Sequence, residues 1–115
     1  VAAIVVERGE LIVRLAPLEQ LAALRHELRV PVSAVQTVCV DPDPWGALRG
    51  VRAPGTGIPG VVAYGVRRMT GQRPDFAALS GRRPAVRVEL GEDSHFGRLV
   101  VSVADPEATV AALRG

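Results

Sequence analysis

The sequence predicts a mainly-β domain with some α: an antiparallel sheet of about seven short strands curled into a half-open barrel, with one early and one terminal helix. Three observations carry this. Short apolar runs, often strictly alternating, recur along most of the chain and are divided by turns rich in Gly and Pro. Helical spacing or helix-start chemistry appears in only two stretches, near 17–28 and after Asp105. Connections between the runs are short, which favours antiparallel neighbours over parallel crossovers. At 115 residues, the whole chain, 1–115, reads as a single domain able to bury a core without disulfides or metal.

Residues 2–7 and 10–15 are apolar runs separated by Arg8 and Gly9, the spacing of a tight hairpin. Leu11, Val13 and Leu15 share its core face. Pro17 opens a helix with Glu19 in the first turn, where the macrodipole favours a carboxylate. Leu21, Leu24 and Leu28 fall on one stripe, so the helix is expected to end near Leu28, before Pro31. Residues 30–40 form a valine-rich strand with a turn around Pro31 and Ser33. Pro42 and Pro44 stop it, and Asp43 caps a single helical turn through Trp45, Ala47 and Leu48. A glycine-proline loop, 50–60, leads to a strand over 60–68 in which Val62, Tyr64 and Val66 share a face. A turn at 70–74, a strand at 75–80 carrying Phe76 and a turn at 81–84 follow. Over 85–90, Val86, Val88 and Leu90 point inward while Arg87 and Glu89 point out. After a loop at 91–97, Leu99, Val101 and Val103 line the inner face of a strand over 98–104. Asp105, Pro106 and Glu107 then combine a cap, a first-position proline and a first-turn acid, so a helix runs from there to the C-terminus.

Composition bounds the function. All 14 basic residues are arginine, against 12 acids, for a formal charge of +2. That small and interleaved excess argues against a nucleic-acid-binding domain. No apolar run approaches the roughly 18 residues of a membrane span. The start at Val1 lacks a basic leader, so no signal peptide is read, and a valine there fits a trimmed chain. The single cysteine, Cys39, permits no internal disulfide, which fits a cytoplasmic setting. It reads as a small apolar residue.

The loop at 50–60 holds the main candidate site. Gly55, Gly57 and Gly60 match the dinucleotide fingerprint letter for letter, but strand-like sequence follows where a helix is required, so no such cofactor is expected. Without lysine, a Walker loop is excluded as well. The same glycines with Arg49 and Arg52 make a candidate anion nest, weighed against a purely structural loop. Trp45, with Arg49 and Tyr64, is a candidate interaction surface; the simpler reading packs the lone tryptophan as core. Asp41 and Asp43, joined by Glu89 or Glu92, were candidates for a metal, yet the flanking prolines favour turn and cap roles and no metal is expected. His26 and His95 lack ligating neighbours in sequence. Arg67, Arg68, Arg82 and Arg83 read as solvated charge, with weak contact to an anionic membrane as the alternative.

Three stretches resemble the bacterial pleckstrin-homology-like domains: Pro17 through Ala23 and on to Val35, the loop at 50–60, and Leu99 through the Asp105-Pro106-Glu107 helix start. The resemblance implies a seven-stranded PH-like barrel capped by a C-terminal helix. It does not imply phosphoinositide binding, because the first turn offers only Arg8, Gly9 and Glu10 where lipid-binding members carry a basic signature. The expectation is therefore a non-enzymatic module that binds a protein partner or its own copies, without cofactor. The alternative is peripheral binding to an anionic membrane or a phosphate-bearing ligand through residues 49–60.

Overall fold

The computed structural model describes residues 2–23, 27–49, 51–58 and 61–114. The chain forms a mainly-β α+β fold in which two sheets stack and a C-terminal helix packs on the larger one. The first sheet is a meander of β1 (Ala3–Glu7), β2 (Glu10–Arg14) and β3 (Glu27–Pro31), all antiparallel. Arg8 and Gly9 both adopt positive φ at the β1–β2 turn, the twist that suits a two-residue hairpin. Glu7 pairs with Glu10 across it, so the register follows the predicted one.

Between β2 and β3 lies α1 (Pro17–Ala23), which opens with a capping box lacking the usual hydroxyl: Glu19 Oε1 accepts from the Ala16 N–H at 2.8 Å. The helix is shorter than the apolar stripe suggested. Residues 24–26 lie outside the described residues, and by Glu27 the chain is already a strand. Leu28 and Val30 are buried on the same face of β3, so spacing that suits a helix also served a strand here.

The second sheet holds β4 (Val35–Asp41), β5 (Val51–Ile58), β6 (Val62–Met69), β7 (Gln72–Ser80), β8 (Ala85–Leu90) and β9 (Arg98–Val101), in the order β4-β8-β9-β7-β6-β5. A 3-10 turn at Val32–Ala34 joins it to β3, and a second at Pro44–Ala47 follows β4. The helix α2 (Pro106–Arg114) closes the chain, with Asp105 Oδ1 accepting from the Ala108 N–H.

Two expectations are corrected. The loop at 50–60 is largely a strand: β5 pairs with β6 from Val51 to Ile58, with a register shift between Arg52 and Gly55 that absorbs Pro54. The sheet is also not wholly antiparallel, because β7 and β9 run parallel, Asp75 opposite Arg98 through Ala78 opposite Val101. The short turn at 81–84 does join opposed strands, but β9 slots between β7 and β8 instead of leaving them paired. The return stroke through β8 thus serves as the crossover. Together with the division into a three-stranded and a six-stranded sheet, this replaces the seven-stranded antiparallel pattern, and the described strands do not close into a barrel.

Both faces of the large sheet are covered. On one, Ile4, Leu11, Val13, Leu28 and Val30 of the small sheet meet Val66, Phe76, Val88, Leu99 and Val101, with Val110 of α2 at the margin. On the other, Ala63, Leu79, Ala85 and Val100 pack beneath Trp45, Ala47 and Leu48 from the second 3-10 turn. This explains why β7 is buried continuously from Asp75 to Leu79 rather than at alternate positions. Phe76 and Phe96 meet edge to face, 6.3 Å between centroids, where the 91–97 loop folds over the sheet.

Candidate functional site

The residues singled out in the sequence do not converge on one site. Trp45 donates through Nε1 to the Gly81 carbonyl at 2.8 Å and packs on the outer cluster, whereas Tyr64 belongs to the inner one. The proposed Trp45, Arg49 and Tyr64 surface is therefore not formed: the sheet lies between the two rings. Gly55 and Gly57 lie within β5, opposite Gly65 and Ala63, and Arg52 lies opposite Arg67. Gly60 lies outside the described residues. An extended strand does not present the run of N–H groups that an anion nest needs.

Arg49 is held elsewhere. Its Nε and Nη2 donate to Asp75 Oδ2 and Oδ1, both at 2.8 Å, in a side-on pair. Asp75 is only 2% exposed. Its hydrogen bonds hold the Arg49 guanidinium above the ordinary arginine value, against the opposing effect of burial. Arg67 Nε in turn donates to the Arg49 carbonyl at 3.1 Å.

Around this pair the chain assembles a charged cluster. Arg98 Nε reaches both Glu89 oxygens at 2.9 Å, and Arg98 Nη1 donates to the Ala47 carbonyl. Arg87 meets Asp41 at 3.2 Å and Glu89 at 3.5 Å. Arg73 pairs instead with carbonyls: its Nη1 donates to those of Gly91, Ser94 and Phe96, and its Nη2 to that of Leu90. A cleft of about 380 Å³ opens here, and Gln36, Arg49, Gln72, Arg73, Glu89 and Gly97 are among its walls.

The sequence reading missed this cluster. Arg73 and Asp75 were read as part of a turn and a strand start, and Glu89 as an outward charge. The one local hint is an acid, Asp75, directly before the apolar run Phe76 to Leu79. Asp41 and Asp43 do serve turn and cap roles, Asp41 Oδ1 accepting from the Asp43 N–H and Asp43 Oδ1 from the Gly46 N–H. Among the described residues, no three His, Cys, Asp or Glu side chains gather at metal-ligating distance. His26 lies outside the described residues, and His95 stacks edge-on against Phe96 in the exposed loop.

A second buried polar group sits under α1. Glu19, 7% exposed, accepts through Oε2 from the Tyr64 hydroxyl at 3.1 Å. Burial and then the Glu19 charge push the Tyr64 phenol above its ordinary range.

The edges of the two sheets differ in how they are finished. At β4, Arg114 Nε and Nη2 both donate to the Val38 carbonyl. At β1, Ala2 forms a parallel bridge to Val103. At β3, Arg29 sits between Glu10 and Glu27, and Pro31 ends the strand. At β5 the guard is Pro54, midway along; beyond it Ile58 and Val61 stand 56% and 53% exposed at the tip of the β5–β6 hairpin. No helix among the described residues is long and apolar enough to cross a membrane.

Comparison with protein-family models, with curated proteins and with solved structures returns no match.

Proposed function

We propose that this chain is a non-enzymatic association module, which engages a protein partner or another copy of itself along the outer edge of β5 and the hairpin tip beyond it. The observation that carries this reading is the contrast between edges. Each of the other three is met by a charged side chain, a bridge or a strand-ending proline, features of the kind that discourage strand addition. The segment from Gly55 to Ile58 has a terminal place in the sheet, and two apolar side chains are exposed at its end. An added strand would gain main-chain hydrogen bonds there, while Ile58 and Val61 would supply apolar contact. The resemblance to bacterial pleckstrin-homology-like domains supports the same reading at a coarser level, through a strand-rich chain closed by a C-terminal helix. Asp75 holds Arg49 in the charged cluster, so the anionic alternative through residues 49–60 lacks one of the two arginines it relied on.

The test is light scattering on the purified chain over a range of concentrations, with native co-purification alongside. Association is expected, and Ile58→Asp with Val61→Asp should abolish it while leaving the circular dichroism spectrum unchanged. A chain that stays monomeric and recovers no partner, or an association indifferent to both substitutions, would refute the reading.

A further inference from the structure

From the cleft beside Arg49 we infer a binding site for a small carboxylate that carries a hydrogen-bond donor next to its carboxyl group, of the α-hydroxy acid or α-amino acid kind. The site lies at the opposite flank of the large sheet from the β5–β6 hairpin tip, on Arg49, Arg73, Glu89 and Gly97, and does not depend on association.

Size and shape permit such a ligand. The cleft, about 380 Å³, falls in the range of small-molecule pockets. Its walls are held before anything binds. Asp75 fixes Arg49 side-on, Arg98 fixes Glu89, and the carbonyl contacts of Arg73 fix the 91–97 loop. Preorganised groups lose little freedom when they take a ligand.

Charge selects the class. Of the charged side chains on the cleft walls, Arg49 is paired with Asp75 and Glu89 with Arg98. The remaining positive charge on those walls is that of Arg73, whose hydrogen-bond partners are carbonyl dipoles. The pairing with Asp75 uses Nε and Nη2 of Arg49 and leaves Nη1 for a further acceptor. A single carboxylate suits that charge, whereas Glu89 on the same wall disfavours a polyanion such as phosphate. Glu89 retains lone pairs beyond its contacts with Arg98 and Arg87 and is the acceptor for a neighbouring hydroxyl or ammonium group. Gln36 and Gln72 add amides that accept and donate.

Gly97 lines the cleft without a side chain. Its φ is not in the left-handed region, so the backbone does not demand glycine. A Cβ there would meet Asp75 Oδ1 at 3.4 Å and Arg49 Nη2 at 3.5 Å, ordinary contacts, so close packing does not demand glycine either. A side chain longer than alanine at this wall position would take up space in the cleft.

The experiment is a two-dimensional amide NMR titration of the full chain with glycolate, glycine, acetate and inorganic phosphate in turn. Glycolate or glycine is expected to give saturable shifts centred on Gln36, Arg73 and Gly97, and to bind at least about fivefold more tightly than acetate, as one added hydrogen bond would give. Gly97→Leu should abolish the shifts by filling the cleft, and Glu89→Gln should weaken the preference of glycine over acetate, because the amide still accepts a hydrogen bond but lacks the charge that favours an ammonium group. Gln72→Ala, at an exposed position, gives a weaker loss that does not depend on Gly97→Leu folding. No saturable shift with any of the four probes would overturn the inference. So would tighter binding of phosphate, or glycolate and glycine binding untouched by Gly97→Leu and Gln72→Ala in folded protein.

Discussion

At the scale of single residues, the arginines are distinguished by what they face. Arg49 neutralises a carboxylate that is almost wholly buried, and removing one partner of such a pair leaves the other charge stranded. Arg49→Met is therefore expected to destabilise the fold by roughly 3 kcal/mol, and the double variant with Asp75→Asn to recover much of that loss; urea unfolding of the two variants beside the unsubstituted chain measures both. Tyr64 gives a second test. It is the single tyrosine, so phenolate absorbance reports it alone. Its titration should lie above the ordinary tyrosine value, because burial and then the Glu19 charge both oppose the phenolate. A raised folded-state value means that its contribution to stability is complete below the unfolded tyrosine pKa and is lost as pH rises through the folded one. Glu19→Gln should bring the absorbance midpoint down; an unchanged midpoint would show that the charge has no part in the shift.

At the scale of elements, local chemistry was legible wherever a turn or cap dictated it. The Arg8–Gly9 hairpin, the Asp43 and Asp105 caps and the alternating strand β8 all follow from a few adjacent residues. The sequence was less informative where one pattern served two structures. Leu21, Leu24 and Leu28 suggested one long helix, but the chain becomes β3 by Glu27. Glycines and prolines suggested a loop at 50–60, yet an edge strand tolerates both, since its outer N–H groups need no ladder partner. The 91–97 loop presents three carbonyls to one distant side chain, Arg73, beside its main-chain bonds to Ala34 and Pro74. Arg73→Gln should release it: amide exchange at Ser94, Phe96 and Gly97 should accelerate, with a global loss of roughly 2 kcal/mol as carbonyl acceptors lose a charged donor. Unchanged exchange at those amides would show that Phe96 packing and the main-chain hydrogen bonds hold the loop without Arg73.

At the scale of the molecule, strand order was the part hidden from the sequence. Nothing local tells β9 to enter between β7 and β8; the insertion is decided by which neighbours give Leu99, Val100 and Val101 burial on both faces. The cleft was hidden for the same reason, because Arg49, Arg73, Glu89 and Gly97 meet only after that order is set. Trp45 and Tyr64, the sole residues of their kinds, ended on opposite faces of the same sheet. Each aromatic ring is thus a native optical reporter of one layer: indole fluorescence follows the outer cluster, and near-ultraviolet tyrosine signal the inner one. Because β7 and β9 contribute side chains to both layers, the two signals should melt at a common midpoint, and a separation between them would reveal that the layers unfold as distinct cooperative units.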